Sequence, residues 1–110
     1  MVKRNVEVTI NRYLAVLKAR NIPIDKAILF GSYATGVADN DSDIDLALVS
    51  RNFGKDYFNE GVRLKLLTVD IDPDISPRPY SLDDYRKAKS GEFLFDEIII
   101  KGKVVYDSGV

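Results

Sequence analysis

Cysteine and histidine are both missing from this 110-residue chain. Without cysteine there is no disulfide framework and no thiol nucleophile. Without histidine as well, a zinc site of imidazole and thiolate ligands is excluded, and any metal site must be built from oxygen. An excess of charge is also lacking. With 16 basic and 17 acidic residues the net charge is −1, so no global field draws the chain to long nucleic acid or to an anionic membrane. No run approaches the roughly 20 apolar residues that a bilayer span needs. The N-terminal MVKRNVEVTINRYLAVLKARN has basic residues but neither the apolar region nor the cleavage site of a secretory leader. A cytoplasmic protein without a membrane partner is the expectation. Proline is scarce, and three of the four prolines fall in the one proline-rich stretch, Pro73 to Pro79. Internal repeats and low-complexity segments are absent.

What is present is ordinary folding material: 45% hydrophobic and 30% charged residues. A chain of this length buries about 65% of its unfolded surface on folding but has no room for a second core. Residues 1–110 are therefore expected to form one domain. Val6, Ile10, Tyr13, Leu14 and Leu17 recur at helical spacing and predict an amphipathic helix that Asn21 to Pro23 ends. Ala27 to Phe30 predicts a short buried strand running into Gly31-Ser32, and Asp43 to Val49 a second strand. Asp56 to Thr68 predicts a helix that tolerates Gly61, and Val69 to Asp72 a third strand. Ser81 is placed as the N-cap of a short helix. Phe93 to Ile100 is a further apolar segment, followed after Gly102 by a last strand, Val104 to Tyr106. Alternating strands and helices predict an α/β (α+β) fold, a small mixed sheet flanked by helices.

One strand carries a conflict. Ile44, Leu46 and Leu48 belong to one face, while Asp43 and Asp45 share the other with Ala47 and Val49. Two carboxylates on one face repel each other and raise each other's pKa unless water screens them or a cation lies between them. A hard dication such as Mg²⁺ or Mn²⁺ would relieve that repulsion. The plain alternative is a solvated acidic edge strand. Asp39 and Asp41, upstream, read as turn and solvent.

Known acidic and glycine-rich motifs fail on the letters. An EF-hand loop from Asp39 would have Ile44 where glycine is required and Ser50 where glutamate is required. A phosphate-binding loop of the Walker type would use Gly31 and Gly36, but Val37 and Ala38 stand in place of its lysine and serine or threonine. Glycosidase-type carboxylate chemistry lacks an aromatic sugar platform. What remains is a turn at Gly31-Ser32, where the missing Cβ admits a ligand close to the backbone and a hydroxyl and N–H suit a phosphate.

Gly31-Ser32, ten residues, then Asp43-Ile44-Asp45 spell G-S-x10-D-x-D. In this the chain resembles the nucleotidyltransferases of the DNA polymerase beta superfamily. More narrowly it resembles their minimal nucleotidyltransferase (MNT) group, along most of its length. The resemblance implies the polymerase beta-like fold and transfer of a nucleoside monophosphate, AMP from ATP, to a hydroxyl. Asp43 and Asp45 would hold two Mg²⁺ ions (or Mn²⁺), and Gly31 and Ser32 would contact the triphosphate. Two cations about 3.5–4 Å apart stabilise both the attacking and the leaving oxygen of an in-line displacement. A third carboxylate of the catalytic and metal set would come from a following strand. Asp70 and Asp72 share a face by period two; Asp70, set between Val69 and Ile71, is preferred, Asp72 is the alternative, and Asp74 ranks last. One departure from the family stands at Thr35, where many relatives have arginine; Lys55, Arg63 and Lys65 are candidates to supply the missing cation.

The small MNT proteins often act as antitoxins paired with a HEPN ribonuclease toxin, which some inactivate by adding AMP to a tyrosine. The resemblance therefore implies a nucleoside triphosphate and a HEPN-type toxin as partners, within a homo- or hetero-oligomer. A second function class stays open: a binding module that neutralises its partner by contact. The apolar segment from Phe93 to Ile100 is its candidate interface, with core packing the plainer account of the same residues.

Overall fold

The computed structural model, which describes residues 5–109, begins with the helix that the apolar spacing predicts, α1 (Val6–Ala19). The first four residues of the basic N-terminal stretch and Val110 lie outside the described residues. Asn5 caps α1 by accepting the Val8 N–H at 3.1 Å, satisfying one of the free donors of the first turn. Asn21, in the left-handed region at φ 60°, ends it, and the Ile22 N–H closes back on the Leu17 carbonyl. The buried face is Ile10, Tyr13 and Leu17.

Four strands follow, β1 (Lys26–Phe30), β2 (Ile44–Ser50), β3 (Ile75–Ser81) and β4 (Lys103–Asp107), in the order β3-β2-β1-β4. β1 runs antiparallel to both β2 and β4, and β2 runs parallel to β3. The parallel pair is joined through α3 (Tyr57–Leu66), whose N-cap Asp56 accepts the Asn59 N–H. α2 (Ser32–Thr35) lies between β1 and β2, α4 (Leu82–Lys87) follows β3, and α5 (Leu94–Ile100) is wound as a π-helix. This is the mixed sheet flanked by helices that the alternation predicts.

α1 and α3 cover one face of the sheet, burying Ile10, Tyr13, Leu17 and Leu64 with Ile44, Leu46, Leu48 and Ile75. The Tyr13 hydroxyl ties the two helices by donating to the Leu64 carbonyl at 2.7 Å, and burial pushes its phenol pKa well up. The other face is covered by α5, whose Leu94 and Ile98 pack on Ile28, Phe30 and Ala47. β2 is thus buried on both sides, as central strands with helices on each face are. Only its leading end, at Asp43 and Asp45, is open.

The third strand corrects the sequence reading. Val69 to Asp72 is a turn, and the strand is the proline-bearing segment Ile75–Ser81. Prolines fit there because β3 is an edge strand. Alternate residues of a strand turn their backbone groups to opposite sides, and Pro77 and Pro79 have the parity that looks outward. The other outward groups are occupied: Lys65 Nζ donates to the Ile75 carbonyl at 2.7 Å, and the Ser81 N–H donates to the Tyr57 hydroxyl at 2.9 Å. A strand edge without free donors is protected against pairing with another chain.

Candidate active site

β1 delivers the chain to Gly31 at the open end of the sheet, directly beside Asp45, because Phe30 and Asp45 are register partners. Gly31 adopts φ 74°, ψ −149°, a conformation almost confined to glycine. Its backbone lies so close to the Asp45 carboxylate that a Cβ built there would collide with Oδ2. The glycine of the sequence motif is therefore needed twice, for its dihedrals and for this approach. Ser32 opens α2 immediately after it, and the Ala34 N–H donates to the Gly31 carbonyl at 3.0 Å.

The connection from α2 to β2 is organised by Asp39. Its carboxylate accepts the Asp41 N–H at 2.9 Å, and its carbonyl accepts the Tyr33 hydroxyl at 2.8 Å. Asp39 shapes the turn while Asp41 is exposed, in line with the sequence reading. Asp43 then stands exposed just before β2, and Asp45 is half-buried within it. Burial, and then the neighbouring charge of Asp43, hold the Asp45 carboxyl above the usual carboxylate range, while the Arg78 guanidinium pulls the other way. The repulsion anticipated from the D-x-D spacing is present.

Gly31, Ser32, Thr35 and Asp45 line a cleft of about 450 Å³ whose far wall is Phe93, Glu97 and Lys101. These three come from the start, side and end of α5 at intervals of four residues. A π-helix has slightly more than four residues per turn, so such positions nearly align, and π-turns are frequent at functional sites. The Phe93 to Ile100 segment thus divides its work. Leu94 and Ile98 are core, whereas Phe93 and Glu97 face the cleft.

The two remaining acidic candidates lie in the segment between α3 and β3, which meets the leading end of β2 where the Ile44 N–H donates to the Asp74 carbonyl at 2.9 Å. Asp70 is exposed in the turn after α3, and Asp72 follows it, accepting the Asp74 N–H at 2.9 Å. Among the described residues no three acidic side chains converge to hold a metal. The β3 residue in register with Asp45 is Ser76. The donor set is therefore two carboxylates with no nitrogen or sulfur ligand. That suits one hard divalent cation, which would relieve the pressure on Asp45.

The proposed substitutes for the cation missing at Thr35 are on α3, which covers the other face of the sheet, or precede it. Lys65 belongs to α3, on the opposite side of the sheet, where its ammonium holds the Pro73 and Ile75 carbonyls. Arg63 is on the same helix, and Lys55 precedes it. Two cations that the sequence reading passed over belong to the cleft side, Lys101 in the wall and Arg78 in β3. The signal for Arg78 was its position between two prolines, legible only once that segment is recognised as an edge strand.

Comparison with known proteins bears on the fold and the family. Residues 12–109 match the family model of polymerase beta nucleotidyltransferases. No curated protein sequence is significantly similar to the chain. Among solved structures, a toxin–antitoxin complex with AMP-PNP aligns with 24% identity and a TM-score of 0.62, over 94% of this chain and 74% of that one. A nucleotidyltransferase-like protein of Sulfolobus solfataricus aligns with 13% identity and a TM-score of 0.61, over 93% and 80%. A complex of tri-AMPylated Shewanella oneidensis HEPN toxin with MNT antitoxin aligns with 22% identity and a TM-score of 0.57, over 93% and 72%. These likenesses agree on the fold. With the family model spanning nearly its whole length, the chain belongs to the polymerase beta nucleotidyltransferase family.

Proposed function

We propose that this protein transfers a nucleoside monophosphate, AMP from ATP, to a hydroxyl of a protein partner, the tyrosine of a HEPN-type toxin. The observation that carries the reading is the seating of Gly31 against Asp45, with Asp43 beside it and Ser32 at the mouth of one cleft. Asp43 and Asp45 would hold Mg²⁺, and Gly31 and Ser32 would receive the triphosphate. When bound, the cation polarises the phosphoryl oxygens and offsets charge developing on the leaving group. Asp45, rooted in a strand buried on both faces, keeps that charge in a fixed place. Gly31 admits the phosphates to the backbone. The proposal does not extend to Asp70 or Asp72. The toxin partner is supported by likeness to antitoxins solved with their toxins.

The test is transfer of label from α-labelled ATP, with Mg²⁺, to a HEPN-type toxin. The wild type labels the toxin, and Asp43→Asn with Asp45→Asn lowers the rate about a thousandfold or more, as loss of metal-assisted charge stabilisation implies. No transfer by the wild type sinks the reading.

A second reading has its own observation. Phe58, Val62, Leu66 and Val69 are exposed to 78%, 43%, 65% and 63%, and their spacing of four, four and three lays an apolar stripe along the outside of α3 and its following turn. This stripe, and not Phe93 to Ile100, is where a contact-only antitoxin would bind. If the double asparagine variant still neutralises the toxin while Phe58→Ser with Leu66→Ser does not, contact alone is the function.

A further inference from the structure

The proposed substrate carries a chain of anionic phosphates into a cleft that already holds Asp45 and Glu97, next to Asp43. One divalent cation offsets the aspartate pair and leaves the phosphate chain without a fixed counter-charge. Thr35 supplies none: its hydroxyl contacts the Gly31 and Ser32 carbonyls at 3.4 Å. Lys101 is in the wall but is bound to Glu97 at 2.9 Å. Arg78 is placed differently from both. It is the register partner of Ala47 in the parallel β2–β3 pair, one pleat along from Ser76 and Asp45. Its side chain therefore stands on the same face of the sheet as Asp45.

Two aromatic rings fix it there. The guanidinium carbon lies 4.8 Å from the centroid of Phe93 and 5.8 Å from that of Phe30. The two rings meet edge to face at 6.0 Å, and both line the cleft. Cation–π attraction to both rings draws the guanidinium to the side of the sheet where they line the cleft, and its planar fork carries five N–H donors. None of the hydrogen bonds or ion pairs among the described residues uses them. Pro77 and Pro79 on either side restrict the backbone that carries it.

Resting on the nucleotidyl-transfer reading above, we infer that Arg78, held against Phe30 and Phe93, is the residue that binds the phosphate chain of the nucleoside triphosphate. A guanidinium positioned by two rings suits a phosphate better than a mobile ammonium, because two parallel N–H groups meet two phosphate oxygens.

The test is the affinity for ATP and for AMP, each with Mg²⁺, in the wild type, Arg78→Met and Arg78→Lys. Methionine keeps an apolar stem against the two rings and loses the charge. Arg78→Met is expected to bind ATP about 10- to 100-fold more weakly, the range for a charge-assisted hydrogen bond. The preference for ATP over AMP should fall toward one, and Arg78→Lys should recover part of it. Melting without nucleotide separates this from a packing defect: the expected result is a melting temperature within a few degrees of the wild type's. ATP binding by Arg78→Met equal to the wild type's overturns the inference and leaves the nucleotidyltransferase reading standing. Equal weakening of ATP and AMP, or an unchanged ATP preference in a poorly folded Arg78→Met together with full affinity in Arg78→Lys, also overturns it, since the residue then only supports the rings. A wild type that binds neither nucleotide overturns the reading of the whole site.

Discussion

The antiparallel pair of β1 and β2 has a carboxylate at each end, and the two ends are finished in opposite ways. Where β1 starts and β2 stops, Asp25 is 6% exposed and fully engaged: it accepts the Arg51 N–H at 2.8 Å and binds the Arg51 guanidinium at 2.9 Å and 3.3 Å. Hydrogen bonding to Arg51 holds its carboxyl below the usual range. Where β1 stops and β2 starts, Asp45 is held above that range by burial and by Asp43, with glycine backbone in place of a partner side chain. One end is closed by its own sequence. The other keeps a carboxyl raised by burial and a like charge, the direction that a cation held there under the proposed function would reverse.

The strongest way to break this comparison is to give the open end the bulk it lacks. Gly31→Ala demands a left-handed φ that alanine resists and drives a methyl into the Asp45 carboxylate. A cost of about 3 kcal/mol is expected from strain and overpacking together, read as a lower denaturation midpoint, with nucleotide binding lost. If Gly31→Ala binds ATP as the wild type does, the close approach of Gly31 to Asp45 has no role in the site.

Next in size is the effect of the cation itself. Mg²⁺ at about a hundred times its dissociation constant is expected to stabilise the wild type by about 2.7 kcal/mol, and Asp43→Asn with Asp45→Asn not at all. Thermal melts with and without Mg²⁺ check this, with EDTA reversing the gain. Equal shifts in both proteins would show that the ion binds elsewhere.

At the closed end, Asp25→Ala removes a buried acceptor and is expected to cost about 1–3 kcal/mol while leaving the rate of nucleotidyl transfer unchanged below the melting range. The pH dependence follows from the direction of the shift. A carboxyl with a depressed folded pKa contributes stability above the ordinary carboxylate range and loses it as pH falls through the folded value. The gap between wild type and Asp25→Ala should therefore be full at neutral pH and close in acid. A gap that is constant with pH would assign the loss to packing.

How much of this was legible from the letters depends on whether the signal was local. α1, β1, β2 and α3 announce themselves through spacing, and Asn5, Asp56 and Ser81 cap helices in the structure, as a short-range hydrogen bond to the next turn leads one to expect. The turn at Gly31-Ser32 and the strand that carries Asp45 were legible for the same reason, since each is a short pattern. The third strand was not. Pro77 and Pro79 argue against a strand unless its outer edge is known to face away from β2, and that is a fact of sheet order. Period-two alternation was instead applied to Val69–Asp72, where it selected Asp70 on a segment that is a turn. Arg78 was invisible with it, because a residue's face can be assigned only after its strand is. The apolar letters of Phe93 to Ile100 report burial but not a π-helical winding, and it is that winding which brings Phe93, Glu97 and Lys101 to one wall.

The smallest expected effect is the sharpest contrast with Asp25. Asp45→Asn alone removes a charge that the fold disfavours, so without metal the variant should be slightly more stable than the wild type at neutral pH, by less than about 1 kcal/mol, since the group is only half-buried. The sign with pH is the reverse of that at the closed end. For a carboxyl whose folded pKa is raised, folding favours the protonated form; the penalty is absent in acid and grows as pH rises through the ordinary carboxylate range to the raised value. The gain from Asp45→Asn should accordingly vanish in acid and be full at neutral pH, whereas the loss from Asp25→Ala has the opposite sign and closes over a lower window, from the ordinary carboxylate range down to the depressed folded value. Added Mg²⁺ should invert the order at neutral pH, making the wild type the more stable protein, because the cation converts the repulsion at Asp45 into binding energy that asparagine cannot match. Melting curves of the two proteins across this range, with and without Mg²⁺, decide it: an Asp45→Asn variant that is less stable than the metal-free wild type at every pH would mean that Asp45 is a structural acid like Asp25.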